Sequence, residues 1–340
     1  MNPLGMTLLL VVTLGAFAWT GRRRWLLLRV GPADLRFDRL GERVGRTLRF
    51  AFGQARMPRY KAAGAAHVLI FAGFLVLLLR SLILFGRAYS DDPTFGYWIF
   101  DGGPSGTSLG HFYSLVKDVF VVLVLVGTCV FFYYRLVVQP KRMSLSVEAL
   151  VILGIIFVMM LADVLYDGAH MVLHDWPASV WEPLGSALAG PMRGWSAGML
   201  TFCEHLGFWT HTSLVLVFLN LLPRSKHFHV ITAVPNVFFA PLDPPGRLPK
   251  MDDLEGMVER EETLGIKRID QFGHKAVLDF YTCTECGRCT DFCPANRTGK
   301  LLSPKQFTID LRNFLYKNES ALIASGQGES DDKPHRADLV

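Results

Sequence analysis

The sequence predicts an all-α membrane protein: a bundle of five transmembrane helices followed by a small α-helical C-terminal domain that carries a cysteine cluster. Three observations predict it. Of the 340 residues, 51% are hydrophobic and only 19% charged, which is too apolar for a soluble domain. Five stretches, at 3–19, 65–86, 111–138, 147–172 and 197–222, match the roughly 20 helical residues that cross a bilayer core of about 30 Å. Four of the six cysteines, Cys283, Cys286, Cys289 and Cys293, lie in the single run CTECGRCTDFCP.

The first apolar stretch has no basic residue ahead of it and no small-residue cleavage site, and Arg22, Arg23 and Arg24 follow it, so it reads as a retained anchor. Between residues 20 and 66 there are twelve Lys or Arg, whereas the loop 87–110 has Arg87 beside Asp91, Asp92 and Asp101. Lys141 and Arg142 mark the next basic loop, and Arg224 and Lys226 follow the fifth helix. By the positive-inside rule the N-terminus faces outward and the cysteine domain faces the cytoplasm, in a bacterial inner membrane. Leu35, Leu40, Val44 and Leu48, interleaved with Arg36, Arg39, Arg43, Arg46 and Arg49, fit either an amphipathic helix on the inner membrane face or a solvated basic helix.

The membrane domain is expected over 1–230 and a linker over 231–262, extended and without regular helix where Pro235, Pro241, Pro244 and Pro245 crowd it. The cysteine domain follows at 263–324, with a helix from Leu301 to Tyr316 capped by Ser303 and opened by Pro304, and then a mobile polar tail at 325–340. No Walker loop, dinucleotide fingerprint or disulfide framework is present, and no nucleic-acid partner is expected.

The cysteine spacing, with Pro294 directly after Cys293, is that by which small bacterial ferredoxins hold a [4Fe-4S] cluster. A structural zinc ion is disfavoured, because zinc motifs usually come as two separated pairs, whereas three cysteines in seven residues crowd a single tetrahedral ion. In two-cluster ferredoxins the fourth cysteine of such a run ligates the other cluster. Either one cluster takes all four thiolates here, or Cys293 awaits ligands from a partner or from sequence beyond Val340. Cys129 and Cys203, inside apolar stretches far upstream, cannot supply them.

Ionisable residues at membrane depth are costly and are functional candidates by default. His67 follows the small residues Ala62, Ala63, Gly64, Ala65 and Ala66, which leave room for a flat macrocycle, and imidazoles from two helices are the usual axial ligands of a b-type haem. His211 and His229 are five helical turns apart if the helix continues, with His227 between them, and Pro223 introduces a kink. His227 and His229 read equally well as residues of a basic flank. His111, His170, His174 and His205 lie toward the outer ends of helices. Asp163, Asp167, His170 and His174 form one polar stripe, either a proton relay for a quinone or a polar helix end, and Asp118 beside Lys117 in the third helix joins the candidates. Arg80 is expected to snorkel outward. Arg56 and Arg59 sit where haem propionates would emerge, or merely obey the topology rule.

GAAHVLIFAGF from Gly64, HTSLVLVFLNLLPRSKHFHVITAVPNVFF from His211 and CTECGRCTDFCPANRTGKLLSP from Cys283 resemble the N-terminal part of a fused family. Its members join a cytochrome b domain similar to the nitrate reductase gamma subunit to a ferredoxin-type iron-sulfur reductase. Membrane-bound electron-transfer-flavoprotein dehydrogenases and heterodisulfide-reductase-like proteins are related to it. The resemblance implies an oxidoreductase of a respiratory chain, passing electrons between a cytoplasmic donor, iron-sulfur cluster, haem b and the quinone pool. It pairs His67 with His229, or with His227, as axial ligands. It would pair His211 with a histidine ten residues beyond His67, where this chain has Leu77. A second haem would therefore need His111, His170 or His205 instead.

An electron-transfer flavoprotein is the favoured donor, or else a reductase subunit carrying further clusters. Three other readings stand beside this one: the membrane subunit of a heterodisulfide or sulfur-compound reductase complex, a transporter without haem, and a redox sensor.

Overall fold

The computed structural model describes all residues except 91–99, 101–102, 105, 244–252, 262–263 and 327–340. Of the expectations above, Asp91, Asp92, Asp101, Pro244, Pro245 and nearly all of the tail lie outside the described residues. The elements are α1 (Pro3–Leu28), α2 (Leu40–Thr47), α3 (Lys61–Arg87), α4 (Ser108–Tyr133), α5 (Val147–Leu173), α6 (Pro183–Met192), α7 (Ala197–Leu221), α8 (His229–Phe238), α9 (Leu254–Glu259), α10 (His274–Thr282), α11 (Arg288–Asp291), α12 (Pro294–Arg297), α13 (Pro304–Lys317) and α14 (Glu319–Gly326). Five helices, α1, α3, α4, α5 and α7, are long and apolar enough to cross a membrane.

Two departures from the sequence reading are local. α1 runs nine residues past the expected end at 19, through Gly21 and Arg22–Arg24 to Leu28, because Arg, Trp and Leu all sustain a helix and the next breakers are Gly31 and Pro32. The basic amphipathic helix is shorter than expected: α2 starts only at Leu40, after Arg39 in a left-handed conformation (φ 49°), and ends in a π turn over Leu48–Phe52. The linker is also corrected, since Pro235 lies inside α8.

The chain divides into two compact units. Unit 1 comprises Met1–Phe17, Arg56–Pro140 and Leu145–Leu221, and unit 2 comprises Ala18–Ala55, Lys141–Ser144 and the chain from Leu222 onward. Packing thus groups segments that the sequence boundary at 230 separates.

Unit 1 is a helix bundle built on small residues. Lipid offers no hydrophobic drive between helices, so close backbone approach supplies the contact. A Cβ on Gly207 in α7 would lie 2.7 Å from the Ala162 carbonyl oxygen of α5, and one on Gly127 in α4 would lie 3.0 Å from the Ala66 carbonyl oxygen of α3. Met6, Leu84, Ala88, Tyr166 and Phe208 close one core cluster, and Leu77, Val121, Val124 and Met160 another.

Unit 2 buries Leu27, Leu28, Phe228, Ile269, Val277, Leu278, Phe280, Tyr281, Leu311, Leu315 and Leu322 together. Arg24 is held inside it: Nε donates to the Pro223 carbonyl at 2.9 Å and the guanidinium lies 3.7 Å from the centre of the Tyr316 ring. Arg43, expected on a basic face, is instead 1% exposed and donates to Asp38 Oδ1 (2.7 Å) and to the carbonyls of Phe238 (2.9 Å) and Ala240 (3.1 Å). As expected, Ser303 Oγ caps α13 by accepting from the Gln306 N–H at 3.2 Å.

Candidate cofactor sites

The cysteine run of unit 2 is a tight loop between short helices. Cys283 ends α10, Glu285 and Gly287 turn the chain with φ of 58° and 75°, α11 carries Cys289, and Cys293 precedes Pro294 at the start of α12. All four are free thiols. A Cβ at position 287 would collide with the Arg142 carbonyl, so only glycine fits this left-handed turn.

Cations surround the loop. Arg142 Nη1 donates to the Cys286 carbonyl at 2.6 Å, Arg312 Nη1 to the Cys283 carbonyl at 3.0 Å, and Arg288 Nε to Cys286 Sγ at 3.3 Å. Glu285 anchors the ring through Arg312 (2.5 Å) and Lys226 (3.4 Å). Burial alone would raise the Glu285 carboxyl, but these two cations hold it below the usual carboxylate range. Burial likewise works against the Cys286 thiolate, yet hydrogen bonds from the Arg288 backbone and guanidinium prevail and lower its pKa. At Cys283 burial wins and the thiol is pushed up. Four thiols on one loop, ringed by arginines, are a donor set that fits a thiolate-bound anionic cluster. The sequence reading treated Arg142 as a topology marker and did not single out Arg288 or Arg312; their positions along the chain carry no spacing signal for this role.

His229, also in unit 2, opens α8, and its Nδ1 lies 3.1 Å from the Lys226 carbonyl oxygen. Donation there places the ring's lone pair on Nε2, the nitrogen that would ligate a metal. The ring centre of His227 is 6.0 Å away. The two are not on a continuation of α7: short 3₁₀ turns at Leu222–Arg224 and Lys226–Phe228 intervene, so the five-turn spacing from His211 does not apply.

In unit 1, His67 is half-buried on α3, and Arg56 and Arg59 are exposed just before that helix. A Cβ on Gly64 would strike the Met57 carbonyl, and the Ala66 carbonyl lies against Gly127, so these two small residues also serve backbone packing. His67 belongs to unit 1, and His227 and His229 to unit 2.

Deeper in unit 1 the polar stripe of α5 splits in two. Asp163 and Asp167 turn to α3 and α4. Arg80 Nε donates to Asp163 at 2.9 Å, Arg80 Nη2 also reaches Asp167, and Lys117 pairs with Asp118 at 2.9 Å and with Asp167. Arg80 is 1% exposed, so it does not snorkel; it neutralises two buried carboxylates. His211 adjoins the same cluster, with Nε2 3.2 Å from Ser81 Oγ and Nδ1 3.7 Å from Asp163 Oδ1, and Leu77 packs into an apolar core.

His170 turns instead to α7, where its Nδ1 meets Glu204 Oε1 at 2.7 Å, and His174 Nδ1 lies 3.1 Å from the His170 carbonyl oxygen. His205 is half-buried on α7, and His111 stacks on Trp181 with Nε2 3.1 Å from the Gly103 carbonyl oxygen. His111, Trp176, Trp181 and Glu182 line a cavity of about 260 Å³. Burial pushes the Glu182 carboxyl up to about 6. Neither Glu182 nor Glu204 was singled out in the sequence, because each is a lone acid with no partner at helical spacing.

No family profile matches the chain, and no solved structure matches it. Two curated proteins are similar to it. A probable iron-sulfur-binding oxidoreductase, FadF, of Bacillus subtilis (strain 168) is 30% identical over 322 residues, covering 93% of this chain and 44% of the relative. An EtfAB:quinone oxidoreductase of Syntrophomonas wolfei subsp. wolfei (strain DSM 2245B / Goettingen) is 29% identical over 301 residues, covering 84% of this chain and 39% of the relative. The chain thus spans less than half the length of these two curated relatives, and its likeness is to proteins named as oxidoreductases, one of them iron-sulfur-binding and the other quinone-linked.

Proposed function

We propose that the protein is a membrane-embedded oxidoreductase component that passes single electrons between a cytoplasmic redox partner and quinone. The observation that carries this reading is the cysteine run: four free thiols within one short stretch of unit 2, with Arg142, Arg288 and Arg312 bonded to it. Cys283, Cys286, Cys289 and Cys293 would hold a [4Fe-4S] cluster, and His67, His227 and His229 are the candidate haem b ligands. When bound, these groups supply one-electron carriers of different potential.

The residues of the chain supply the rest. The arginines and Lys226 would offset the negative charge of four cluster-bound thiolates, and Gly287 fixes the turn between Cys286 and Cys289. His229 is held in the tautomer that presents Nε2 by its contact with the Lys226 carbonyl. Asp118, Asp163 and Asp167, countered by Arg80 and Lys117, form a buried charged cluster, the candidate place for the protons that accompany quinone chemistry. The name of the Syntrophomonas relative supports an electron-transfer flavoprotein as partner and quinone as acceptor.

Membranes containing the full chain, purified in mild detergent under anaerobic conditions, test the reading. Dithionite should produce the absorbance of reduced b-type haem and the electron paramagnetic resonance signal of a reduced [4Fe-4S] cluster. His67→Ala should lose the haem signal and keep the cluster. A preparation with iron and acid-labile sulfide but no haem in the unsubstituted protein refutes the haem assignment; one with neither refutes the electron-transfer reading altogether.

A further inference from the structure

The histidines of the α5 stripe do not belong to the buried acidic cluster, and their own surroundings point elsewhere. His170 and His174 are four residues apart, one helical turn, so both rings lie on one face, and their centres are 4.2 Å apart. Glu204 approaches them from α7. One ligand atom from each of the three lies within 4.8 Å of the others. α5 and α7 come this close because Gly207, one turn along from Glu204, lets the two backbones touch.

The hydrogen bonds around the rings set their chemistry. His174 Nδ1 donates to the His170 carbonyl at 3.1 Å, which leaves the lone pair on Nε2. His170 Nδ1 already meets Glu204 Oε1 at 2.7 Å, so two of the three donor groups face each other. Tyr166 stacks on the His170 ring at 5.3 Å and Trp176 meets it edge-on at 5.2 Å, so the ring is not at liberty to swing to another partner.

We propose that His170, His174 and Glu204 form a binding site for a divalent transition metal of the zinc class. Two imidazoles and a carboxylate carry one negative charge and match the ligand preference of zinc rather than of calcium or magnesium, which take oxygen donors. His174 is exposed, so water completes the coordination sphere and the ion enters from solvent without crossing the bundle. The site ties the last turn of α5 to α7. It is independent of the cluster and haem assignments.

The test uses full-length protein in detergent, stripped with a chelator and then titrated with zinc against a chromophoric competitor. The unsubstituted protein should bind one zinc more tightly, by at least tenfold, than either His174→Ala or Glu204→Gln. His174→Ala changes an exposed side chain and leaves the folded bundle intact, so it keeps the comparison meaningful. All three proteins share the same cysteines, so zinc taken up there cancels. Cobalt(II) gives a second readout: the site should yield d–d bands that vanish in His174→Ala, without a thiolate-to-cobalt charge-transfer band. Equal zinc affinity in the unsubstituted protein and His174→Ala, or cobalt bands unchanged by the substitution, would overturn the proposal.

Discussion

Arg80 of α3 donates from Nε to Asp163 of α5 at 2.9 Å, and the two side chains are 1% and 2% exposed. Removing one partner of such a pair leaves an unpaired charge in an apolar medium, which typically costs about 3–5 kcal/mol. Arg80→Met should therefore lower the thermal midpoint of the detergent-solubilised protein by many degrees. Adding Asp163→Asn should recover part of the loss, because the stranded carboxylate is then neutral. A double variant no more stable than Arg80→Met would show that the pair is not coupled.

Glu182 gives a pH dependence with a definite sign. Its carboxyl is raised from 4.5 to about 6, first by burial. The folded state therefore holds the proton more tightly than the unfolded one, so the stability this group contributes is full below about pH 4.5 and is lost as pH rises through 6. The shift corresponds to about 2 kcal/mol. Glu182→Gln should gain roughly that much relative stability above pH 7 and nothing near pH 4. Thermal unfolding followed across this range checks it, and parallel curves for the two proteins would contradict it.

Two glycines of the bundle predict opposite outcomes. Gly207→Ala would place a methyl group 2.7 Å from the Ala162 carbonyl oxygen and 2.6 Å from the Tyr166 nitrogen, so α5 and α7 must part. Gly154 on α5 has nothing within 4 Å of a Cβ, and Gly154→Ala should be neutral or slightly stabilising, by up to about 1 kcal/mol. Yield and thermal stability of the two variants, measured side by side, decide the point.

Gly287→Ala should cost the protein its iron. The new methyl group would collide with the Arg142 carbonyl at a residue already held at φ 75°. Gly299→Ala, at φ 84° with open space around it, should bear only the backbone cost, about 1–2 kcal/mol, and keep full iron and acid-labile sulfide. Equal iron content in both variants would mean that the turn at 287 does not shape the cysteine loop.

The five long helices and the capped helix from Pro304 were legible because hydropathy over a bilayer's width and the Ser-Pro start are local signals. The cysteine run was legible for the same reason. What escaped was long-range pairing. Arg80 in α3 finds its acids some eighty residues later, so its burial follows from helix packing and not from anything beside it in the chain. Arg43 looked like one of several interchangeable basic residues until the carbonyls of Phe238 and Ala240 came to meet it. The α5 stripe was expected as one unit and faces two ways: a helix turns about 100° per residue, so a stripe that drifts along its axis serves two neighbours rather than one. Pro235 misled because a proline in the second turn of a helix looks the same in sequence as one in a loop.

Gly287 resting on the Arg142 carbonyl also sets an order of events during synthesis. The peptide unit at Arg142 leaves the ribosome well before the glycine that seats against it, by roughly 7–30 s at ordinary translation rates. The residue against which the cysteine turn rests is thus made before any of the four thiols. A fragment begun after residue 144 would present the same four thiols without the Arg142 carbonyl beside Gly287.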